Sequence, residues 1–471
     1  MKKIIFFIIF FCFLAHSNEL PELGSSFDNL INAADEKKIK FQIMQKVFSS
    51  NTVIQDPEIN DYLNNLGNEL IRSGAEEIHD INFFIVNDNS INAFAMLGNV
   101  IGVHTGLFFA ANTESELASV ISHEIAHLTQ KHLLRLFDSQ ARNSYKSYLA
   151  LAIAILAARS SPQLASGAIT AASASQTQNL LDYTRSNEQE ADRIGLQILD
   201  KAGYDPRGFI DFFSALQKFN NFSSGAAPAF LRTHPVTTER ISDIQDRLKD
   251  FKYMQIENKL EFYLVKAKMK VLVVNNSDAI DIFQNELKHN RFINKAATYY
   301  GLTYSFLRHN KIIDARKTFD NLSKMNINHP MLLELNANIL IKEKKYEEAF
   351  ELYRNAINKY PYYRAFTLGI SSLLIQANKP DMAIELLKKM LPNFKKDPFF
   401  YELLAKAYNQ KGNFLLEHEN LSDFYYNQFD IQNAIIQMDL AVKIKSESFY
   451  DQSRVEYRLK ELKRESELMN N

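Results

Sequence analysis

Three residues within "ESELASVISHEIAHLTQKH" (residues 114–132) have types and spacing suited to hydrolysis: His123, Glu124 and His127. The stretch reads as a helix. Thr113 can act as N-cap, and Glu116 three residues on completes a capping box. Leu117, Val120, Ile121 and Leu128 supply an apolar face, and no proline interrupts up to Lys131. On such a helix His123 and His127 lie one turn apart on one face, so their imidazoles converge. Glu124 projects about 100° round, beside the point of convergence rather than onto it. Two converging imidazoles with a neighbouring carboxylate are the ligands and general base of a zinc hydrolase. His132 is nine residues from His123, roughly half a turn away, and is expected to face elsewhere.

A catalytic zinc commonly takes a third protein ligand and keeps one position for water. The expected third ligand lies in "YTRSNEQEADRIGLQILDKAGYDP" (residues 183–206). Ser186 suits an N-cap with Gln189 at N3, and Gly203 suits the position after the helix end. Glu188 and Asp192 are four apart and share a face, whereas Glu190 is about 200° round from Glu188 and is expected to point away. Glu188 is the expected ligand. Asp192 is expected to bond the far nitrogen of a ligand histidine, with His123 as partner. The competing reading is a solvated face with an Asp192–Arg193 charge cluster.

The chain around these residues has 471 positions and 46% hydrophobic content, enough for two or three cored domains. A net charge of -1 and the lack of a Lys/Arg run with interleaved aromatics argue against nucleic acid as a partner. Lys2 and Lys3 precede an apolar run over 4–14, and Ala15-His16-Ser17 offers small residues for cleavage. This predicts a signal peptide over 1–17, cleaved after Ser17. Cys12, the single cysteine, lies inside it. A mature chain without cysteine has no disulfide or thiolate ligand, so any metal falls to His, Asp and Glu. Export without disulfides fits a bacterial periplasm.

The expected fold class is α+β and predominantly helical: an HExxH zincin-like (gluzincin) domain over 18–250, a helical connection over 251–290, and an α-solenoid over 291–471. "INFFIVND" and "NVIGVHTGLF" have strand character. Ala315, Ala349 and Ala383 are 34 apart, as are Thr303, Ala337, Ser371 and Ala405, with Phe306, Leu340, Leu374 and Tyr408 following three later. That period is the tetratricopeptide (TPR) pattern of stacked helix pairs with a concave binding face. An insertion, "LLEHENLSDFYYNQFD", is expected in the fourth unit before Ala434 resumes the alanine position. The apolar stretch 148–158 reads as a buried helix leading into a loop, or as a mobile lid or a peripheral membrane contact. His79, His104, His289, His309, His329 and His418 read as structural or surface residues.

"HEIAH" followed by "NEQEADRIG" resembles the HtpX and CAAX-prenyl-protease group of zinc metallopeptidases. "NAFAMLGNVIGVHTGLF" is similar to that group's strand beside the substrate cleft, which implies substrate contact at Asn92, Ala93, Phe94 and Ala95. "RTHPVTTERI" resembles its His-Pro-x-Thr-x-x-Arg segment. The chain departs in having Asn99 where the group usually has glycine, which bears on the turn there. The signal peptide and the carboxy-terminal repeats resemble the periplasmic branch, the β-barrel-assembly-enhancing proteases. The resemblance implies one Zn2+ per chain. It further implies unfolded or misassembled envelope proteins as substrates, and outer-membrane β-barrel assembly machinery as a partner on the TPR face.

Glu124 is the expected base, taking a proton from water and delivering it to the leaving amine. Arg240 and His234 are candidates for stabilising the oxyanion. His234 has two further readings, as a block on the open zinc position or as a structural residue capping "PVTTERI". The competing function is a non-enzymatic chaperone or scaffold with a closed or structural metal site. The presence of Glu124 argues against it, since a structural site needs no base. Nothing resembles the paired acids or aromatic platform of a glycan hydrolase.

Overall fold

The computed structural model describes residues 33–50, 52–74, 81–138, 174–222, 228–252, 256–274, 276–444 and 448–470. The expected signal peptide, Cys12, His79 and the apolar stretch 148–158 lie outside these residues. Helices α1 (Ala33–Ser49) and α2 (Pro57–Gly74) come first. In α2, Ile59, Tyr62, Leu63, Leu66 and Leu70 recur at helical spacing and are buried, giving the helix one face for the core.

Strands β1 (Asn82–Val86), β2 (Ala93–Met96) and β3 (Val100–His104) form a sheet of order β1-β3-β2. The first strand expected from sequence is β1, and the second is β3 as far as His104, its remaining residues from Thr105 on being helical; β1 and β3 pair in parallel, and β2 runs antiparallel to β3. All five residues of β3 are buried, as befits the central strand. The β2–β3 turn places Gly98 at φ 78° and Asn99 at φ 55°. Asparagine is one of the few residues besides glycine that visits this left-handed region readily, so the departure at Asn99 leaves the turn in place.

Helices α3 (Thr105–Ala110), α4 (Glu114–Thr129) and α5 (His132–Asp138) follow. Next come α6 (Ala174–Lys201), α7 (Gly208–Phe222), α8 (Ala229–Thr233) and α9 (Thr238–Arg247). Helix α6 runs through Ser186 instead of starting there. A single capping residue does not stop a helix that is already propagating, because each added residue gains a bond at little further cost. Gly203, at φ 80°, follows its end as expected.

The repeat region keeps its period to the end. Second helices of successive pairs begin at Ile312, Tyr346, Pro380 and Phe414, each 34 after the last. The turn entering each holds a positive φ at Asn310, Lys344, Asn378 and Gly412, at the same interval. The expected insertion is therefore not one. Its residues largely form the regular helix Phe414–Asn427, and Ala434 belongs to the next helix, Ile431–Lys443. The sequence pattern misled because Glu417 stands where the alanine recurs. A final helix spans Phe449–Asn470.

One buried apolar cluster runs from Ile59 through Ile121 and Leu264 to Ile339, so the sheet-bearing part and the first repeats share a core. The later repeats curl back onto α1 and α2. Arg364 Nε reaches Asp61 at 2.8 Å and Tyr363 OH donates to Glu58 at 2.5 Å, where Lys268 Nζ of the connecting helix Leu260–Val273 also meets Glu58, at 2.6 Å. Phe429 packs on Phe41 and Phe48. Among the described residues no helix is long and apolar enough to cross a membrane.

Candidate metal centre

Helix α4 forms where its cap and apolar face predict. Thr113 Oγ1 accepts from the Glu116 amide at 3.1 Å, and Glu116 Oε2 accepts from the Asn112 amide at 2.8 Å. This is a capping box shifted one residue outward. His123 and Glu124 are fully enclosed, at 2% and 1% exposure. Helix α6 brings Glu188 and Asp192 against α4, with Gly195 at the closest approach: a Cβ there would lie 3.1 Å from the His123 amide nitrogen.

The donor atoms of His123, His127, Glu188 and His234 lie within 4.8 Å of one another. His123 Nε2 is 3.0 Å from His127 Nε2 and 3.4 Å from Glu188 Oε2. His127 Nε2 is 3.4 Å from Glu188 Oε1. His234 Nδ1 is 3.0 Å from Glu188 and 3.4 Å from His123 Nε2. Four N/O ligands at zinc bond lengths around a tetrahedral ion stand about 3.4 Å apart, so this donor set fits a shared divalent cation. Glu124 Oε1 is buried without a hydrogen-bond partner among the described residues, 3.4 Å from His234 Nε2. A base that must receive a proton needs such a free acceptor.

The electrostatics follow from burial and partners. Burial pushes the Glu188 carboxyl up, but His234, His127 and His123 together hold it well below the usual carboxylate range. Burial pushes His127 down to about 4, so it is held neutral. Burial also pushes His123 down, but Asp192 and Glu188 outweigh it and raise the ring to about 9.

Asp192 Oδ1 lies 2.9 Å from His123 Nδ1, at ion-pair distance but off the line of the hydrogen bond expected between them. Arg240 grips the same carboxylate with two donors, Nε at 2.6 Å and Nη2 at 2.7 Å. Its Nη1 reaches Pro235 O at 2.9 Å and Glu188 Oε2 at 3.0 Å. The guanidinium is thus committed to fixing Asp192 and Glu188, which differs from the oxyanion role raised for it. His234 faces Glu188 and His123 through Nδ1 and stacks on Phe230 at 4.8 Å.

The expectation for His132 fails at the far side of His127. Helix α4 ends at Thr129 and Lys131 takes φ 51°, so His132 starts α5 in a new direction. His132 Nδ1 comes 2.8 Å from His127 Nδ1, and His132 Nε2 is 3.0 Å from Glu190 Oε2. Glu190 does point away from Glu188, but into this contact. The error came from extending one helix through residue 132. No glycine or proline marks the break, and the one available signal was a third histidine in the stretch.

Asn92, Ala93, Phe94 and Ala95 lie at or beside β2, the sheet edge next to α4. Asn92 is wholly buried with both side-chain polar atoms unpartnered among the described residues. The Phe230 amide bonds Ile91 O at 3.0 Å, tying the His234 segment to the start of this edge.

The model of Peptidase family M48 matches residues 57–248, and that of the tetratricopeptide repeat matches residues 340–407. A Vibrio cholerae protein named "Putative beta-barrel assembly-enhancing protease" is 30% identical over 397 residues, covering 84% of this chain and 82% of that one. The chain belongs to peptidase family M48. The beta-barrel assembly-enhancing protease of Escherichia coli K12 is 29% identical, covering 84% of this chain and 81% of its own. Mitochondrial metalloendopeptidase OMA1 of Schizosaccharomyces pombe is 28% identical over 166 residues, 35% of this chain and 46% of that one. As an M48 member carrying repeats, this protein is a metallopeptidase joined to a TPR solenoid, as the histidine spacing and the 34-residue period predict.

Proposed function

We propose that this M48 peptidase is a zinc-dependent endopeptidase of the bacterial periplasm that cuts unfolded or misassembled outer-membrane proteins. The observation that carries the catalytic reading is the buried convergence of His123, His127 and Glu188 beside the unpartnered carboxylate oxygen of Glu124. The envelope setting rests on the relatives named for β-barrel assembly and on the signal-peptide pattern.

In this reading His123, His127 and Glu188 would hold the zinc, which when bound would supply Lewis-acid polarisation of a carbonyl and acidify water. Glu124 receives the proton of the attacking water and delivers it to the leaving nitrogen. Asp192 orients His123, and Arg240 positions Asp192 and Glu188. An extended client chain pairs along β2 at Asn92–Ala95 by main-chain bonds, which selects for unfolded segments more than for sequence. The solenoid's concave face receives assembly partners.

Of the three readings of His234, the block is favoured by its Nδ1 joining the donor set as a fourth member. A cation held there would find its fourth position taken by His234, and the resting enzyme would be closed until the segment 228–234 moves.

The test is proteolysis of an unfolded outer-membrane β-barrel polypeptide by the mature chain, Glu124→Gln and His234→Ala, with and without chelator. The parent should cut slowly and His234→Ala faster. Glu124→Gln should lose about 10²- to 10⁴-fold, and chelator should stop all cleavage. Equal cleavage by Glu124→Gln sinks the mechanism. Client binding with no cleavage by either parent or His234→Ala favours the scaffold.

A further inference from the structure

We propose that His132 and Glu190 hold His127 in the single imidazole tautomer able to bind a cation, as positioning residues of the centre. The inference rests on the metal-site reading above and concerns the side of His127 facing away from the donor cluster.

The proton positions follow from geometry. His127 Nε2 faces the cluster, 3.0 Å from His123 Nε2. A nitrogen that offers its lone pair there carries no proton, so the neutral ring carries its proton on Nδ1. That Nδ1 is 2.8 Å from His132 Nδ1, and two imidazole nitrogens at this distance need one donor and one acceptor. His132 Nδ1 must then accept, which places the His132 proton on Nε2. Nε2 lies 3.0 Å from Glu190 Oε2, an acceptor-only carboxylate. Arg135 Nη1 donates to the same oxygen at 3.0 Å.

The opposite direction fails at its outer end. On a neutral His132 ring, a proton on Nδ1 would leave a bare Nε2 lone pair facing the Glu190 carboxylate at 3.0 Å. It would also force the His127 proton onto Nε2, into the donor cluster. Glu190 therefore sets the direction of the whole chain.

The arrangement mirrors the other ligand histidine. His123 leads to Asp192, which Arg240 grips; His127 leads through His132 to Glu190, which Arg135 grips. Each ring thus ends on a carboxylate anchored by an arginine, with His132 as a spacer on one side. His132 is 4% exposed, so water does not readily replace it.

The experiment uses the full mature chain. ¹⁵N-resolved imidazole NMR of the metal-free protein reads the His127 tautomer, and competition with a chromophoric chelator reads zinc Kd. Thermal melts of the metal-free protein report folding separately. The parent should show the Nδ1–H tautomer. His132→Ala should give mixed tautomers and weaken zinc by about 10- to 100-fold, the usual effect of removing an orienting partner. Glu190→Ala should do the same, while Glu190→Gln, which keeps an acceptor oxygen, should lose less. A parent with His127 protonated on Nε2, or a folded His132→Ala with parental tautomer and Kd, overturns the proposal. If His132→Ala fails to fold, the Glu190 pair decides: parental Kd in both variants overturns it. A parent that takes up no zinc defeats the metal-site reading instead, and the proposal with it.

Discussion

Gly195→Ala is expected to destabilise the protein and loosen its metal centre together, although alanine favours a helix over glycine by about 1 kcal/mol. The added Cβ would lie 2.9 Å from Phe209 Cζ, 3.1 Å from the His123 amide nitrogen and 3.2 Å from His123 Cα. Carbon atoms prefer separations of about 3.5–4.0 Å, so α6 must retreat from α4 by roughly 0.5 Å. Phe209 has little room to yield, being 1% exposed, and the His123 atoms are backbone. Overpacking of this kind costs about 1–3 kcal/mol, which outweighs the gain in helix propensity and leaves a net loss of about 1 kcal/mol. The same retreat carries Glu188 and Asp192 away from His123, at the limit of about 0.5 Å that a ligand constellation tolerates. Zinc affinity should fall about tenfold, the low end for a disturbed orienting partner. Urea unfolding of the metal-free protein and zinc competition read the two effects. A variant as stable as the parent, with parental zinc affinity, would refute the claim that this close approach sets the site.

Arg364→Met leaves Asp397 buried without its cation and frees Asp61, losing about 3 kcal/mol, the low end for a broken buried pair because Asp61 is 32% exposed. Hydrogen exchange should show lost protection in α2 and in helix Arg364–Gln376, and unchanged protection counts against the docking role. His329 accepts from the Met331 amide at a helix start, and burial pushes its ring down to about 4. Because its folded value lies below the unfolded one of about 6.5, its stabilising effect is complete above pH 6.5 and is lost as pH falls through 4. His329→Asn, which caps without titrating, should flatten the stability–pH curve over that window in thermal melts. Asn99→Gly should leave stability nearly unchanged, whereas Asn99→Val should cost about 1–2 kcal/mol for its φ of 55°, read by the same melts.

What the residues determined alone is what lies within one element. The cap at Thr113, the convergence of His123 and His127, the shared face of Glu188 and Asp192, and the repeat period all follow from the fixed rise and rotation of a helix. Where an element was assumed to start or continue, that geometry misled: through Ser186, through residue 132, and at the supposed insertion before Ala434. Only the tertiary structure decided which elements meet. It brought His234 into the donor set from a loop 111 residues beyond His123, gave Arg240 to Asp192, and turned His132 and Glu190 onto the back of His127. It also returned the last repeats to α1 and α2. These contacts depend on loop direction and on how closely buried faces pack, quantities set by the whole core and carried by no local spacing.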